Sequence, residues 1–128
     1  MSEGLNWDEV KGLAKRVLEE GEPLVLTDEV RAILRRTAKE VAIEAEEADQ
    51  ALHTPLAATD LLQKMTRRIR DGSHRLSRAL TQMYRLRDAG DMEGARQQMR
   101  NVLAVEVVPH YRDIAEASLE ALDDPEDD

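Results

Sequence analysis

The chain has 128 residues, no cysteine, no phenylalanine and a formal net charge of −9. A chain of this length forms one domain and can bury a core without disulfides or a metal. The lack of cysteine excludes disulfides and thiolate chemistry. Polar residues follow Met1 and every apolar run is short, so we expect no signal peptide and no membrane span. These features predict a cytoplasmic protein with no membrane association.

The charges fall into three blocks. Residues 64–100 carry ten basic and four acidic side chains, whereas residues 101–128 carry one basic and nine acidic side chains. Residues 1–63 are also acidic, with seven basic and fourteen acidic side chains. A basic middle between acidic ends indicates a surface that could attract a charged partner.

Aliphatic residues at helical spacing predict helices through most of the chain. Asn6, with Glu9 three residues later, has the spacing of a capping box, and Gly21 is suited to the end of this first helix. We interpret Trp7 as a core or staple residue rather than an exposed binding anchor. A short extended plug follows over residues 24–26.

Thr27 is the expected cap of the second helix. Two interpretations of its end are open. The helix continues unbroken to about His53, or it breaks near Ile43 and restarts. Helix propensity favours continuity, because no glycine or proline interrupts this stretch.

The third helix is expected to start at Thr54 with Pro55 in its first turn, or at Thr59. We expect the Asp-Gly-Ser sequence at residues 71–73 to end it and to cap a fourth helix, which ends at Gly90.

A fifth helix starts from Asp91. Its apolar composition predicts that residues 92–108 are a buried central element, and Pro109 begins the sixth helix. The predicted fold is all-α: a compact single-domain bundle of five or six mostly antiparallel helices over residues 1–122. An acidic, disordered tail is expected over residues 123–128.

Several segments resemble the DUSAM family of small myxobacterial proteins. The residues that carry the resemblance are Val17–Leu24, Leu26–Arg31, Arg68–Leu76 and Tyr84–Arg112. The resemblance covers nearly the whole chain and implies a short stand-alone domain. It implies no function, because the family name records an unknown one, and it supplies no catalytic residues.

No motif indicates catalysis. His53, His74 and His110 lack the spacing of a metal site, and no phosphate loop or nucleophile motif is present. Glu40 and Glu44, with Glu47, could share one side of the second helix, where they would resemble half of a di-metal site. A solvated acidic face is the favoured interpretation. We therefore expect no enzyme activity, no cofactor and no metal.

The basic middle block offers a second candidate surface. Arg67, Arg70, Arg78 and Arg85 are predicted to form an outward stripe. The first interpretation is pairing with acidic faces of the same domain or a solvated face. An acidic protein partner is the second and nucleic acid the third. The acidic net charge and the scarcity of aromatic residues argue against nucleic acid.

The main functional hypothesis is a protein-binding module that masks a partner, as an inhibitor, immunity-type or regulatory protein. Its weakly indicated contact residues are the arginine stripe and the three glutamates above. The alternatives are nucleic-acid association through the arginine stripe and a homodimer formed through the apolar residues around Val102–Val108.

Overall fold

The structure is a computed structural model that describes residues 5–123. These residues form six α-helices and contain no strand, which confirms the all-α prediction. The helices are α1 (Asp8–Ala14), α2 (Asp28–Glu40), α3 (Ala45–Ala51), α4 (Pro55–Asp88), α5 (Met92–Val105) and α6 (Pro109–Asp123). A π-helical turn over Lys15–Glu19 directly extends α1.

The contacts divide the chain into two compact units, residues 1–69 and residues 70–128. The boundary falls inside α4, so each unit contains part of that helix. The single domain predicted over residues 1–122 stays a prediction. The acidic tail predicted over residues 123–128 lies outside the described residues, apart from Asp123.

The first unit is built from α1, α2, α3 and the start of α4. Asn6 accepts the backbone N–H of Asp8 at 2.9 Å, so the predicted helix start is close to the observed one. Trp7 is half-buried and its Nε1–H donates to Glu40 at 3.1 Å, in keeping with the packing role predicted for it. Leu24 is buried within the predicted plug, whereas Val25 is exposed.

The predicted second helix is interrupted and forms α2 and α3. Of the two interpretations that the sequence left open, the one with a break near Ile43 is therefore confirmed. Thr27 caps α2 as predicted by accepting the N–H of Val30 at 3.1 Å. The helix ends at Glu40, and Ala42 adopts a left-handed conformation with φ 63°. The N–H of Ile43 then bonds the carbonyl of Ala38 at 2.8 Å, which completes a Schellman-type end. This turn separates α2 from α3.

Arginine side chains close three helix ends with hydrogen bonds to backbone carbonyls. Arg68 donates to Val41 and Ala42 at 2.8 and 3.0 Å, beyond the end of α2. Arg31 donates to Leu52 at 2.9 Å after α3, and Arg112 donates to Leu103 at 2.7 Å in the last turn of α5. Cations at helix C-termini satisfy carbonyls that lack partners and complement the helix dipole. Part of the arginine content therefore has a structural role that sequence analysis did not assign.

The predicted break at Asp71–Ser73 is wrong, because α4 runs continuously from Pro55 to Asp88. Gly72 serves close packing rather than a turn. A Cβ atom at position 72 would lie 2.5 Å from Tyr111 Cδ2 and 2.9 Å from Glu106 Oε1. The third and fourth predicted helices are thus one helix. Its start is as predicted, since Thr54 accepts the N–H of Ala57 at 3.1 Å.

The second unit contains the rest of α4 with α5 and α6. Gly90 has φ 86°, and the side chain of Asp91 accepts the N–H of Gly94 at 2.8 Å, as expected for a helix end and a new cap. Helix α5 ends at Val105, earlier than predicted. Val105 and Val107 are exposed, so the prediction that residues 92–108 are buried on most sides is wrong.

Candidate functional site

The predicted acidic face is divided among separate elements. Glu40 is the last residue of α2 and accepts the Trp7 indole, whereas Glu44 precedes α3 and Glu47 lies within it. Glu47 also pairs with Lys64 at 2.7 Å. Because α2 ends at Glu40, the three carboxylates do not share one side of a single helix. Two of them are engaged by other residues of the first unit.

The predicted arginines are all exposed on α4. Arg67 belongs to the first unit, and Arg70, Arg78 and Arg85 belong to the second. Arg70 lies 3.6 Å from the neighbouring Asp71 carboxylate. Within residues 5–123, no carboxylate oxygen lies within 4.0 Å of a side-chain nitrogen of the other three arginines. Intramolecular pairing, one part of the first interpretation, is therefore not observed for Arg67, Arg78 and Arg85 among the described residues. Their side chains are exposed.

A surface cleft of about 290 Å³ lies in the second unit, between α4 and α5. Arg78 is the only member of the predicted arginine set that lines it. The opposite wall includes Val105, of which 60% is exposed. The residues that line the cleft are Arg75, Arg78, Ala79, Gln98, Asn101, Val102 and Val105.

A buried carboxylate stands behind this cleft. The side chain of Glu106 is 2% exposed and its Oε1 accepts Nη1 of Arg75 at 2.7 Å. The other oxygen, Oε2, accepts the backbone N–H groups of Val107 and Val108 at 3.1 and 3.0 Å. These three charge-assisted hydrogen bonds fix the position of the Glu106 carboxylate, just before the start of α6. The carboxylate in turn fixes the position of the Arg75 guanidinium.

Sequence analysis missed this ion pair. Arg75 falls in the basic block of residues 64–100 and Glu106 in the acidic block of residues 101–128, but neither was predicted to have a role. One local signal was present: a glutamate within an apolar run, three residues before the start of a helix at Pro109. A carboxylate in such a run is buried only when hydrogen-bond donors surround it. Here the donors are Arg75 on α4 and the backbone N–H groups of Val107 and Val108.

Tyr111 packs behind the same ion pair. Burial raises the pKa of the Tyr111 phenol above its ordinary value of 10.0, and the negative charge of Glu106 raises it further. The hydrogen bond with Ser73 acts in the opposite direction and lowers this pKa. The ring lies where a side chain at Gly72 would clash, so the glycine makes this packing feasible.

The cleft presents hydrogen-bond donors. The side-chain oxygen of Asn101 accepts Nε2 of Gln97 at 2.8 Å, and its NH₂ group can donate. Arg75 and Arg78 add guanidinium groups, which only donate. Donors beside an exposed valine suit an anionic side chain on an otherwise apolar surface.

The first unit has a larger groove of about 730 Å³ around the Ala42 turn. Arg35 and Asp49 form an ion pair of 3.1 Å at its edge, and Lys39 and Glu44 add one charge of each sign. This balanced lining favours neither a cation nor an anion. Elsewhere in the described part of the chain, no group of three or more histidine or acidic side chains could hold a metal ion.

The fold and this cleft define a small all-α protein with an arginine-lined surface site. None of its described helices is both long enough and apolar enough to cross a membrane. The chain belongs to the family described as "Protein of unknown function (DUF2379)", whose model matches residues 5–122. No curated protein and no solved structure matches the chain.

Proposed function

We propose that the chain is a non-enzymatic protein-binding module, which masks an acidic partner as an inhibitor, immunity-type or regulatory protein. The observation that carries this proposal is the set of exposed arginines on α4 without a carboxylate partner among residues 5–123. An arginine that pairs with no carboxylate among residues 5–123 can pair with a carboxylate on another protein.

The comparison of the two charged surfaces supports an acidic partner over a basic one. Glu40 and Glu47 already accept hydrogen bonds from Trp7 and Lys64. Arg78 and Arg85 have no such partner in the described part of the chain. Complementary charge chiefly raises the association rate and the specificity, and it does so most strongly at low salt.

Native capture of the tagged protein from its own cells, followed by mass spectrometry, tests the proposal. We expect one stoichiometric acidic protein. Charge reversal of Arg67, Arg78 and Arg85 to Glu should abolish its recovery. The matched control changes Glu40, Glu44 and Glu47 to Gln, which keeps an acceptor oxygen for Trp7, and should leave recovery unchanged. Capture of no stoichiometric protein would contradict the proposal.

Nucleic acid is the second candidate, since the same exposed arginines could contact phosphates. Retardation of duplex or single-stranded DNA or RNA that falls steeply with salt would favour it. Loss of that retardation in Arg67→Glu/Arg70→Glu would assign it to α4.

The homodimer alternative predicts a concentration-dependent increase in mass by sedimentation, and it draws support from the exposure of Val105 and Val107.

The proposal also includes the cellular location of the protein and the name of its family. We propose a cytoplasmic location, supported by the lack of cysteine in the sequence. We also propose that its family is the DUSAM family of small myxobacterial proteins, supported by the segments quoted above.

A further inference from the structure

We infer that the cleft between α4 and α5 binds a carboxylate side chain presented by an acidic, amphipathic helix of a protein partner. This inference rests on the proposed function and names the site and the chemistry through which the partner is bound. The carboxylate would accept from Arg75, Arg78 and Asn101, while an apolar side chain of the same helix packs on Val105.

Arg75 is held in place before any ligand arrives. Its bond of 2.7 Å to the buried Glu106 fixes the guanidinium, and Glu106 is itself fixed by two backbone amides. A guanidinium has five N–H groups, so this bond leaves others free to donate into the cleft that Arg75 lines. A preorganised donor loses less conformational entropy on binding than a free side chain does.

Arg78 supplies the charge that attracts the ligand. The charge of Arg75 is largely balanced by Glu106, whereas Arg78 has no carboxylate within 4.0 Å among residues 5–123. Asn101, whose side-chain oxygen accepts Nε2 of Gln97, adds a neutral NH₂ donor. The three donors therefore form an electropositive site. Its net charge comes from Arg78, which no carboxylate among residues 5–123 balances.

The exposure of Val105 favours a protein ligand over the phosphate backbone of a nucleic acid. Val105 is the last residue of α5, and it is 60% exposed at the edge of the cleft. An apolar contact beside a carboxylate fits a helix with acidic and aliphatic residues one turn apart. A sugar–phosphate backbone is mostly polar and charged and offers little apolar surface to cover this valine. The cleft lining contains no aromatic ring for base stacking.

The test is an NMR titration of the ¹⁵N-labelled full chain with a helical peptide of repeated Glu-Ala-Ala-Leu units. The matched control peptide replaces every Glu by Gln. We expect shift changes at Arg78, Asn101 and Val105 with the Glu peptide and none at these residues with the Gln peptide. Arg78→Glu should weaken binding of the Glu peptide by about tenfold or more.

Arg85→Glu is the matched protein control, because Arg85 is equally exposed on α4 but does not line the cleft. Its affinity for the peptide should stay within about threefold of wild type. Val105→Asp should also weaken binding, since it adds a negative charge and removes the apolar contact. All three positions are exposed, and spectra of the free variants verify their folding.

Several results would overturn the inference: equal binding of the Gln peptide, no shift changes at the cleft, or equal losses in Arg78→Glu and Arg85→Glu. A single-stranded oligonucleotide that shifts the same amides and displaces the peptide would assign the cleft to nucleic acid instead. If native capture recovers an acidic partner that Arg78→Glu still binds, the proposed function stands and only the cleft is wrong. Capture without any protein partner removes the proposed function itself.

Discussion

The turns at Gly90 and Ala42 have the same hydrogen-bond pattern but different residues at the left-handed position. At the first, Asp91 N–H bonds the carbonyl of Leu86 at 2.8 Å. At the second, Ile43 N–H bonds that of Ala38 at the same distance. Gly90 adopts φ 86° without steric penalty, whereas Ala42 is held at φ 63°. The difference shows that tertiary contacts can impose a helix end that no local residue signals.

The tertiary contact at Ala42 is Arg68. Its guanidinium donates to the carbonyls of Val41 and Ala42, so two acceptors left without helical partners are satisfied. Burial of Ile43 after the turn adds an apolar contribution. At Gly90, the glycine and the Asp91 cap act through the local sequence alone.

The largest effect is expected for Arg68→Met, which keeps an aliphatic side chain but removes both donors. We expect a loss of about 2 kcal/mol in the free energy of unfolding, because two hydrogen bonds from a charged group are lost, one of them partly buried. Urea titration followed by fluorescence of Trp7, the single tryptophan, measures it in the first unit. Arg67→Met, at an exposed neighbour, should change stability by less than about 0.5 kcal/mol. Equal effects would contradict the capping role.

Gly72→Ala extends the comparison to a glycine that is not in a turn. Alanine normally stabilises a helix interior, but here its Cβ would meet Tyr111 at 2.5 Å. We expect a loss of about 2 kcal/mol by urea titration followed by circular dichroism. Gly12→Ala in α1 is the control, since its Cβ would meet nothing closer than Arg16 Nη1 at 3.7 Å. That variant should gain about 0.5–1 kcal/mol.

Gly90→Ala should destabilise the second unit by about 1 kcal/mol. The left-handed conformation costs alanine about 1–2 kcal/mol, and the reduced entropy of the unfolded chain offsets part of this. Hydrogen exchange of the α5 amides reports the change within the unit. No change in exchange would mean that the turn tolerates alanine as readily at Gly90 as at Ala42.

Ala42→Gly should give the smallest effect, a gain of about 0.5 kcal/mol, for the reverse of the same reasons. Trp7 fluorescence in urea again provides the measurement. Ala32→Gly, at an exposed position within α2, is the control and should lose about 1 kcal/mol. A loss at both positions would show that Ala42 is not strained in the native protein.

Local signals predicted the helices and most of their starts. Thr27, Thr54 and Asp91 each accept the amide that their cap position requires. The errors arose where a distant residue decides the outcome. Neither Arg68 beside Ala42 nor Tyr111 beside Gly72 can be inferred from neighbouring sequence, because these pairs are far apart along the chain.

The candidate site was predicted only in part. Charge blocks identified α4 as basic and included Arg78, but its place beside Val105 depends on how α4 and α5 pack. Glu106 was missed because nothing in the local sequence reveals that Arg75 lies next to it. Glu40, Glu44 and Glu47 do not share one side of a helix for a related reason, since α2 ends at Glu40, where Arg68 bonds the carbonyls that follow.

The Ala42 turn also has an evolutionary consequence. Because Arg68 supports a left-handed residue that is not glycine, positions 42 and 68 are constrained together during sequence divergence. A relative with glycine at position 42 is free to lose the arginine, whereas one that keeps alanine is not. Covariation between these two positions is therefore expected among members of the family, while position 90 should vary independently of both.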